Sequence, residues 1–201
     1  MPSDHSPLHV AGGILGWDVL PPAHRPLEAD ALAEFHAARL LLLMLTCGEG
    51  QARRINGRTK LVKLDFFLRY PRFLEMAQRQ LALAGRSFQV YEADGAETEA
   101  PMIRYRYGPW DPRYRDVVAF LESRGLVRAV GTRTEALSMT ASGKQVAAEV
   151  AADPRFEPLV RRAEILAGTL AEWTGTQLKD FIYATFPREV SALELRRRIE
   201  P

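Results

Sequence analysis

Apolar residues recur with helical spacing over much of the chain, and one segment also carries clear boundary signals. Within residues 111–125 they fall at i, i+3, i+4 and i+7, which predicts a helix with one buried face. Asp111 is a suitable N-cap, Pro112 fits the first helical position, and Gly125 is a suitable stop. The predicted buried residues are Tyr114, Val117, Val118 and Leu121, and the outward ones are Arg115, Asp116, Ala119 and Glu122.

The segments on either side of this helix have a β-type pattern. Residues 126–130 and 135–139 are short runs that favour strands, and the loop between them contains Gly131 and Arg133. Before the helix, residues 104–107 alternate arginine and tyrosine, which predicts a strand with the arginines on one face. The order strand, helix, hairpin is typical of a winged helix, with Arg133 at the tip of the wing.

The rest of the chain is mainly helical in pattern. Gly48 and Pro71 are the predicted breaks between the first helices. Thr140 or Ser142 is available to cap the helix after the hairpin, and Thr176 is the predicted cap of the last clear helix. The tail from Ser191 favours a helix. The predicted helices cover 27–47, 60–70, 72–83, 140–152, 154–173 and 177–186.

These elements predict a mainly α fold with a small β element, organised as a winged-helix-like core with a C-terminal helical extension. Residues 1–26 are predicted to be an extended arm, because glycines and prolines surround a small apolar patch there. The core is predicted over 27–152 and the extension over 153–201. We expect three tryptophans to dock on a partner: Trp17, Trp110 and Trp173. For Trp17, docking on its own domain is the alternative.

Composition narrows the class of protein. The net charge of +2 gives no global signal for polyanion binding, so a nucleic-acid role would depend on local clusters. The single Cys47 excludes an internal disulfide and fits a reducing cytoplasm. The apolar run 40–45 is too short to span a bilayer, and the N-terminus has no signal-peptide pattern. We therefore expect a cytoplasmic protein without a membrane segment.

Sequence motifs of catalysis are missing. The chain has no Walker-type loop, no HExxH, no paired cysteines and no G-x-S-x-G elbow. Its four histidines, at positions 5, 9, 24 and 36, are not spaced as metal ligands. The sequence thus predicts a protein with no catalytic residues, no metal and no cofactor.

A basic segment offers the best candidate contacts. Residues 51–72 contain seven cationic residues against Asp65 alone, a formal charge of +6. Such a segment can hold phosphates in a salt-sensitive, sequence-independent way, it can face an acidic protein partner, or it can be a solvated surface. The candidate binding residues are Arg53, Arg54, Arg58, Lys60 and Lys63, together with Arg104 and Arg106 of the alternating strand and Arg133 of the wing.

The alternating strand has two interpretations. Tyrosines beside arginines can stack nucleic-acid bases. Packing of the tyrosines into the core, with Arg104 and Arg106 outside, is the commoner arrangement. On the capped helix, Asp116 and Glu122 would repel phosphates, which argues against sequence-specific readout in a major groove.

Three segments together resemble a known family. GRTKLVKLDFFLRYPRFLE at 57–75, MIRYRYGPWDPRYRDVVAFLESRGLV at 102–127 and TGTQLKDFIYATFP at 174–187 are similar to the middle component of ABC-three-component systems, the Lamassu-type bacterial anti-phage operons. The second segment alone also resembles the wider Panacea-type group, which is linked to toxin–antitoxin and phage modules. The arm and the arginine-rich tail match neither.

The resemblance implies a non-catalytic adaptor subunit of an antiviral defence complex. Its expected partners are an SMC-like coiled-coil ABC ATPase and an effector, which is often a nuclease, with double-stranded DNA as a further contact. The alternative is a stand-alone winged-helix DNA-binding regulator or antitoxin, which would bind as a homodimer to a palindromic site.

Overall fold

The computed structural model describes residues 32–86, 90–93, 101–131 and 135–200. The predicted arm with Trp17, most of the acidic loop before Pro101, and the predicted wing tip with Arg133 lie outside the described residues.

Helices make up most of the described fold. Two short irregular turns accompany them, a 3₁₀ turn at Pro154–Phe156 and a π-type turn at Pro187–Ser191. The helices are α1 Ala33–Cys47, α2 Arg58–Arg69, α3 Pro71–Leu83, α4 Tyr114–Ser123, α5 Ala141–Ala152, α6 Glu157–Thr169 and α7 Gly175–Thr185.

The strands form two small antiparallel sheets. The first has the spatial order β1-β5-β4, so that β1 of the N-terminal half pairs with the hairpin of β4 and β5. The second is a hairpin of β2 and β3. The strands are β1 Ile55–Asn56, β2 Ile103–Tyr105, β3 Gly108–Trp110, β4 Val127–Val130 and β5 Ala136–Met139.

The core is built around α1 and α2. Residues 40–44 of α1 are at most 1% exposed, because helices α4, α5 and α6 cover it on several sides. All residues of α2 from Lys60 to Arg69 are buried. Full burial of each large apolar side chain contributes about 1.5–3 kcal/mol, which makes these two helices the main source of stability.

The helices after residue 153 belong to the same core. Leu166 of α6 and Ile182 of α7 are fully buried and are part of one hydrophobic cluster with α1 and α2. The segment predicted as an extension therefore completes the packing of the central helices.

The capped helix is confirmed in its buried face and its end, but it begins later than predicted, with Arg113 and not Asp111 at the N-cap. Helix α4 buries its four predicted apolar residues and exposes its four predicted outward residues. The Asp111 carboxylate accepts a hydrogen bond from the Arg113 amide, and the first helical residue is Tyr114, two residues later than Pro112. At the other end Gly125 has φ +65°, and the Gly125 and Leu126 amides bond back to Glu122 and Leu121 in a Schellman arrangement.

Several helix boundaries differ from the sequence prediction. Helix α1 begins at Ala33, with Leu32 extended before it, and not at the predicted Leu27. The last helix is capped by Thr174, not by Thr176, because Thr174 and Gln177 form a reciprocal capping box. Helix α6 ends at Thr169, four residues before the predicted end at Trp173. Thr140 does cap α5, since its hydroxyl accepts from the Gly143 amide at 2.9 Å.

The C-terminal tail is not the predicted helix. After the turn that ends at Ser191, residues 194–199 include turns and an extended piece that pairs with β2. Among the residues described, no helix has the length and apolar character needed to cross a membrane.

Candidate functional site: an arginine and tyrosine surface

The tail is fastened to the edge of the β2–β3 hairpin. The Arg104 amide donates to the Arg197 carbonyl at 2.8 Å, and the Ile199 amide donates to the Met102 carbonyl at 2.8 Å. Both Ile199 and Met102 are fully buried. The tail thus acts as a third, short strand whose apolar anchor lies in the core.

Arg196 marks the point where this pairing becomes irregular. Its φ is +71°, an uncommon conformation for a residue with a side chain. Its amide nevertheless donates to the Arg104 carbonyl at 2.7 Å. The backbone of the arginine run is therefore held on both sides of Arg104.

The alternating segment is a hairpin, so the prediction of one strand over 104–107 is wrong. Arg106 and Tyr107 form the turn, and Gly108 follows with φ +98°. A Cβ at Gly108 would lie 3.1 Å from Cε of Lys63, so glycine serves both the turn and the close packing.

The tyrosines are also placed differently from the commoner expectation. Tyr105 is 46% exposed and Tyr107 is 57% exposed, whereas Arg104 is half-buried and lies 5.6 Å from the centre of the Tyr183 ring. The turn after Tyr105 breaks the two-residue alternation, which is why the face assignment from the sequence fails.

Hairpin and tail together form what we call the hairpin–tail surface. Backbone pairing places the run 196–198 next to Arg104, and within the described residues no ion pair joins these arginines or Arg106 to a carboxylate. A cleft of about 410 Å³ lies among Leu193, Glu200 and the tail arginines. The surface consists of Arg104, Arg106, Arg196, Arg197 and Arg198, with the exposed rings of Tyr105 and Tyr107.

A second cavity, the hairpin pocket, lies between the hairpin and the start of α2. It has a volume of about 280 Å³. Trp110 packs 6.2 Å from Tyr105 and 5.5 Å from Tyr114, ring centre to ring centre. The pocket is lined by Arg58, Thr59, Lys63, Tyr105, Tyr107, Gly108, Pro109 and Trp110.

Lys63 gives the hairpin pocket an unusual cation. The side chain is buried, and its Nζ donates to the Pro109 carbonyl at 2.8 Å. Burial lowers the pKa of Lys63 to about 7, because a charged ammonium loses hydration there. The pocket therefore holds an amine that is partly neutral near neutral pH.

An adjoining cavity continues from the hairpin pocket toward the start of α7. It has a volume of about 360 Å³ and shares Thr59 and Tyr107 with the pocket. Lys60 and Lys179 are among its lining residues.

The basic segment 51–72 is used largely inside the fold. Lys60 is buried and pairs with Glu49 at 2.8 Å, and Arg69 is buried and pairs with Asp111 at 2.7 Å. Arg58 forms an ion pair with Glu135 at 2.6 Å. Since Lys63 is buried too, much of the formal +6 charge is not on the surface.

Two candidate binding residues, Arg53 and Arg54, lie in the loop before β1 and are partly or fully exposed to solvent. Arg53 is half-buried with φ +45°, and Arg54 is exposed. The Arg54 amide and carbonyl both bond to Glu49, which closes the loop before β1. The accessible charge of the loop is therefore smaller than the sequence indicates.

Sequence reasoning missed a buried ionic network between α1, α2 and the start of α4. Arg39 donates to Asp65 at 2.8 Å, and the Tyr114 hydroxyl also donates to Asp65. On the other side of the network, Arg69 and Arg113 both bond to Asp111. These residues are far apart in the chain and lack a motif, so no local pattern could have paired them.

The network has strong effects on protonation. Burial alone would raise the pKa of Asp111, but hydrogen bonds from Arg113 and Arg69 outweigh it and hold that pKa far below its usual range. Burial, with the nearby Asp65 carboxylate, raises the pKa of Tyr114 well above its usual value. Both groups thus keep one charge state across the physiological range.

His36 belongs to this network and is not placed as a metal ligand. Its ring nitrogens lie 2.9 Å from guanidinium nitrogens of Arg39 and Arg113. In the part of the chain that the structure describes, no three His, Cys, Asp or Glu side chains are grouped as a metal site. Burial raises the pKa of the Cys47 thiol to about 11, which disfavours the reactive thiolate.

The tryptophans predicted to dock have clear positions where they are described. Trp110 is half-buried in the hairpin pocket. Trp173 is half-buried, with its ring edge-on to Phe181 at 5.2 Å and the Arg86 guanidinium 6.0 Å from its centre. Both rings pack on aromatic residues of the chain itself, and docking on a partner stays a prediction.

A comparison with known proteins finds no family model, no curated protein and no solved structure that matches this chain.

Proposed function

We propose that this protein is a non-catalytic adaptor subunit that holds nucleic acid through the hairpin–tail surface while other faces hold protein partners. The observation that carries the proposal is the placement of Arg196, Arg197 and Arg198 beside Arg104 of the hairpin. Such arginine clusters bind phosphates without regard to sequence.

The fold agrees with an architectural role. The β4–β5 hairpin follows α4 and takes β1 as its third strand, and the β2–β3 hairpin lies between α3 and α4. This arrangement supports a winged-helix-like core as part of the proposal. The outward face of α4 carries Asp116 and Glu122, which are unfavourable beside phosphates. We therefore assign the DNA contact to the hairpin–tail surface and not to α4.

The resemblance to the middle component of Lamassu-type ABC-three-component systems supplies the candidate partners. They are an SMC-like coiled-coil ABC ATPase and an effector, in a cytoplasmic anti-phage complex. We expect the chain to co-purify with the proteins encoded beside it. A chain that stays alone when co-expressed with those neighbours would contradict the adaptor role.

A salt-dependent DNA titration tests the binding surface. Arg196, Arg197 and Arg198 would be changed together to alanine, and fluorescence anisotropy with labelled DNA would be followed between about 50 and about 200 mM salt. We expect weaker binding and a slope of log K against log salt that is smaller by about 3, near 0.9 for each lost duplex contact.

A charge-matched variant makes the titration decisive. Arg115, Arg124 and Arg128 are exposed on α4, after it and on β4, and their change to alanine removes the same charge. We expect this variant to bind almost as the wild type does. Loss in this variant instead, together with preference for one palindromic sequence, would favour the stand-alone regulator.

A further inference from the structure

The hairpin pocket is walled by aromatic rings, and two of these rings are partly exposed. Tyr105 and Tyr107 are about half exposed, and Trp110 forms part of the same wall. Exposed aromatic faces can stack nucleobases, and every base presents a π-face of this kind. A volume of about 280 Å³ is large enough for one nucleobase and the edge of the attached sugar.

The polar groups of the pocket suit a neutral ligand with hydrogen-bond acceptors. Lys63 lines the pocket, and its ammonium group donates one of its three N–H groups to the Pro109 carbonyl. The other N–H groups are not used in that bond. The amine is partly neutral near neutral pH, so the pocket does not require an anion. Base carbonyl oxygens and ring nitrogens are acceptors of the appropriate kind.

Strand spacing relates the pocket to the tail arginines. The tail pairs with β2, and β2 pairs with β3, so the tail lies about 10 Å from β3, two strand spacings away. Arg198 lies opposite Ile103 and so shares the face of β2 that carries Tyr105, whereas Arg197 lies opposite Arg104 on the other face. A strand of nucleic acid held by Arg198 thus passes within reach of Tyr105. Bases stacked and paired within a duplex cannot enter a pocket, whereas unpaired bases can.

We propose that the hairpin pocket receives an unpaired nucleobase from a strand whose phosphates lie on the hairpin–tail surface. The protein then prefers single-stranded nucleic acid, or the unpaired part of a junction or end, over continuous duplex. This site rests on the proposed nucleic-acid contact, but it adds a requirement that phosphate binding alone does not have.

The test compares Tyr107→Ala with Tyr107→Phe. Tyr107 is exposed at a turn, so neither change disturbs the core, and phenylalanine keeps the stacking ring. Binding would be measured by anisotropy with a single strand of about twelve nucleotides, within the usual site size, and with a blunt duplex of the same sequence. A 2-aminopurine base in the single strand would report stacking by fluorescence quenching.

We expect the wild type to bind the single strand more tightly than the duplex and to quench 2-aminopurine. Tyr107→Ala should weaken single-strand binding by about 5- to 150-fold, the range for loss of one stacked base, with little effect on the duplex. Tyr107→Phe should bind as the wild type does.

The outcomes separate the two proposals. If Tyr107→Ala weakens both forms equally, or changes neither, the nucleobase site is wrong, while the loss caused by the tail arginine variant still supports phosphate binding. If neither form binds at low salt, the nucleic-acid contact itself is wrong. If both bind but the tail arginines have no effect, the contact lies elsewhere and both proposals fail.

Discussion

The Asp65 carboxylate of α2 is fully buried and links α2 to both α1 and α4. It accepts hydrogen bonds from Arg39 of α1 and from Tyr114 of α4. Removal of one partner of a buried ion pair leaves a charge without compensation, which costs far more than loss of an exposed pair. The stability of this junction therefore depends on single side chains.

Asp65→Ala should be strongly destabilising. We expect a loss of about 3–5 kcal/mol in the free energy of unfolding, measured by urea denaturation, because Arg39 keeps its buried charge. Arg79→Ala is the control, since Arg79 is exposed and pairs with Glu75 at i,i+4 spacing. It should cost no more than about 0.5 kcal/mol, and similar losses in both variants would contradict the buried-pair account.

The lowered pKa of Lys63 predicts that the free energy of unfolding depends on pH. Its pKa is about 7 in the fold and 10.5 when unperturbed, so between these values the unfolded chain binds more protons than the folded one. Stability must then rise with pH across this window. From about pH 7 to about pH 8.5 the rise from this group should be about 1–2 kcal/mol.

Lys63→Met isolates this contribution, because methionine keeps the apolar stem and does not titrate. Urea denaturation at both pH values should show a smaller rise for the variant than for the wild type. Burial raises the pKa of Cys47 to about 11, which gives an opposite trend above its usual 9.0, so measurements should stay below that value. An equal rise in both proteins would show that Lys63 is not the titrating group.

At the scale of elements, two helical glycines look alike in sequence but have different surroundings. Gly143 lies in the first turn of α5, where a Cβ would come 1.9 Å from the Leu126 carbonyl oxygen. Gly168 lies near the end of α6 with open space around its Cα. The first permits close contact between α5 and the start of β4, while the second only weakens a helix.

Alanine at these two positions should therefore have opposite effects. Gly168→Ala should stabilise the protein by about 0.5–1 kcal/mol through helix propensity. Gly143→Ala should destabilise it, by about 1–3 kcal/mol as overpacking usually does, since backbone must move to admit the methyl group. Thermal unfolding followed by circular dichroism would show both signs, and stabilisation by Gly143→Ala would contradict the contact.

Local signals account for the elements that the sequence predicted well. Gly125 and the four apolar residues of α4 act within one helix, so the pattern predicted its end and its buried face. Asp111 instead pairs with Arg69 of α2, and the helix begins at Tyr114. The pairing of the tail with β2 depends on residues distant in the chain, and an alternation over four residues could not reveal it. The hairpin turn at Arg106 and Tyr107 is local, and Gly108 was the signal for it.

The same distinction explains the candidate binding residues. The sequence shows the charge of Lys60 and Lys63 but not their burial, which depends on Glu49 and Pro109. Conversely, the tail arginines matched no known motif, and only the folded chain brings them beside Arg104. Charge could be read from the sequence, whereas its accessibility could not.

At the scale of the whole molecule, the tail connects the C-terminus to the middle of the chain. Ile199 is buried, its amide bonds to Met102, and the Tyr70 hydroxyl bonds to the Met102 amide at 2.6 Å. The three arginines before Ile199 have fixed backbone positions only while this anchor holds. Binding at the hairpin–tail surface should thus depend on a residue that carries no charge.

Ile199→Ala should weaken DNA binding without any change in net charge. Loss of the apolar anchor costs about 2–5 kcal/mol of packing, which is enough to release the tail while the larger core stays folded. Hydrogen exchange should then show a faster Arg104 amide, because its acceptor is the Arg197 carbonyl. Leu195→Ala is the matched control, since Leu195 is 59% exposed in the same tail and its loss should change neither exchange nor affinity. If Ile199→Ala releases the tail but leaves the DNA affinity unchanged, the charge of the arginines accounts for binding and their placement beside the hairpin does not.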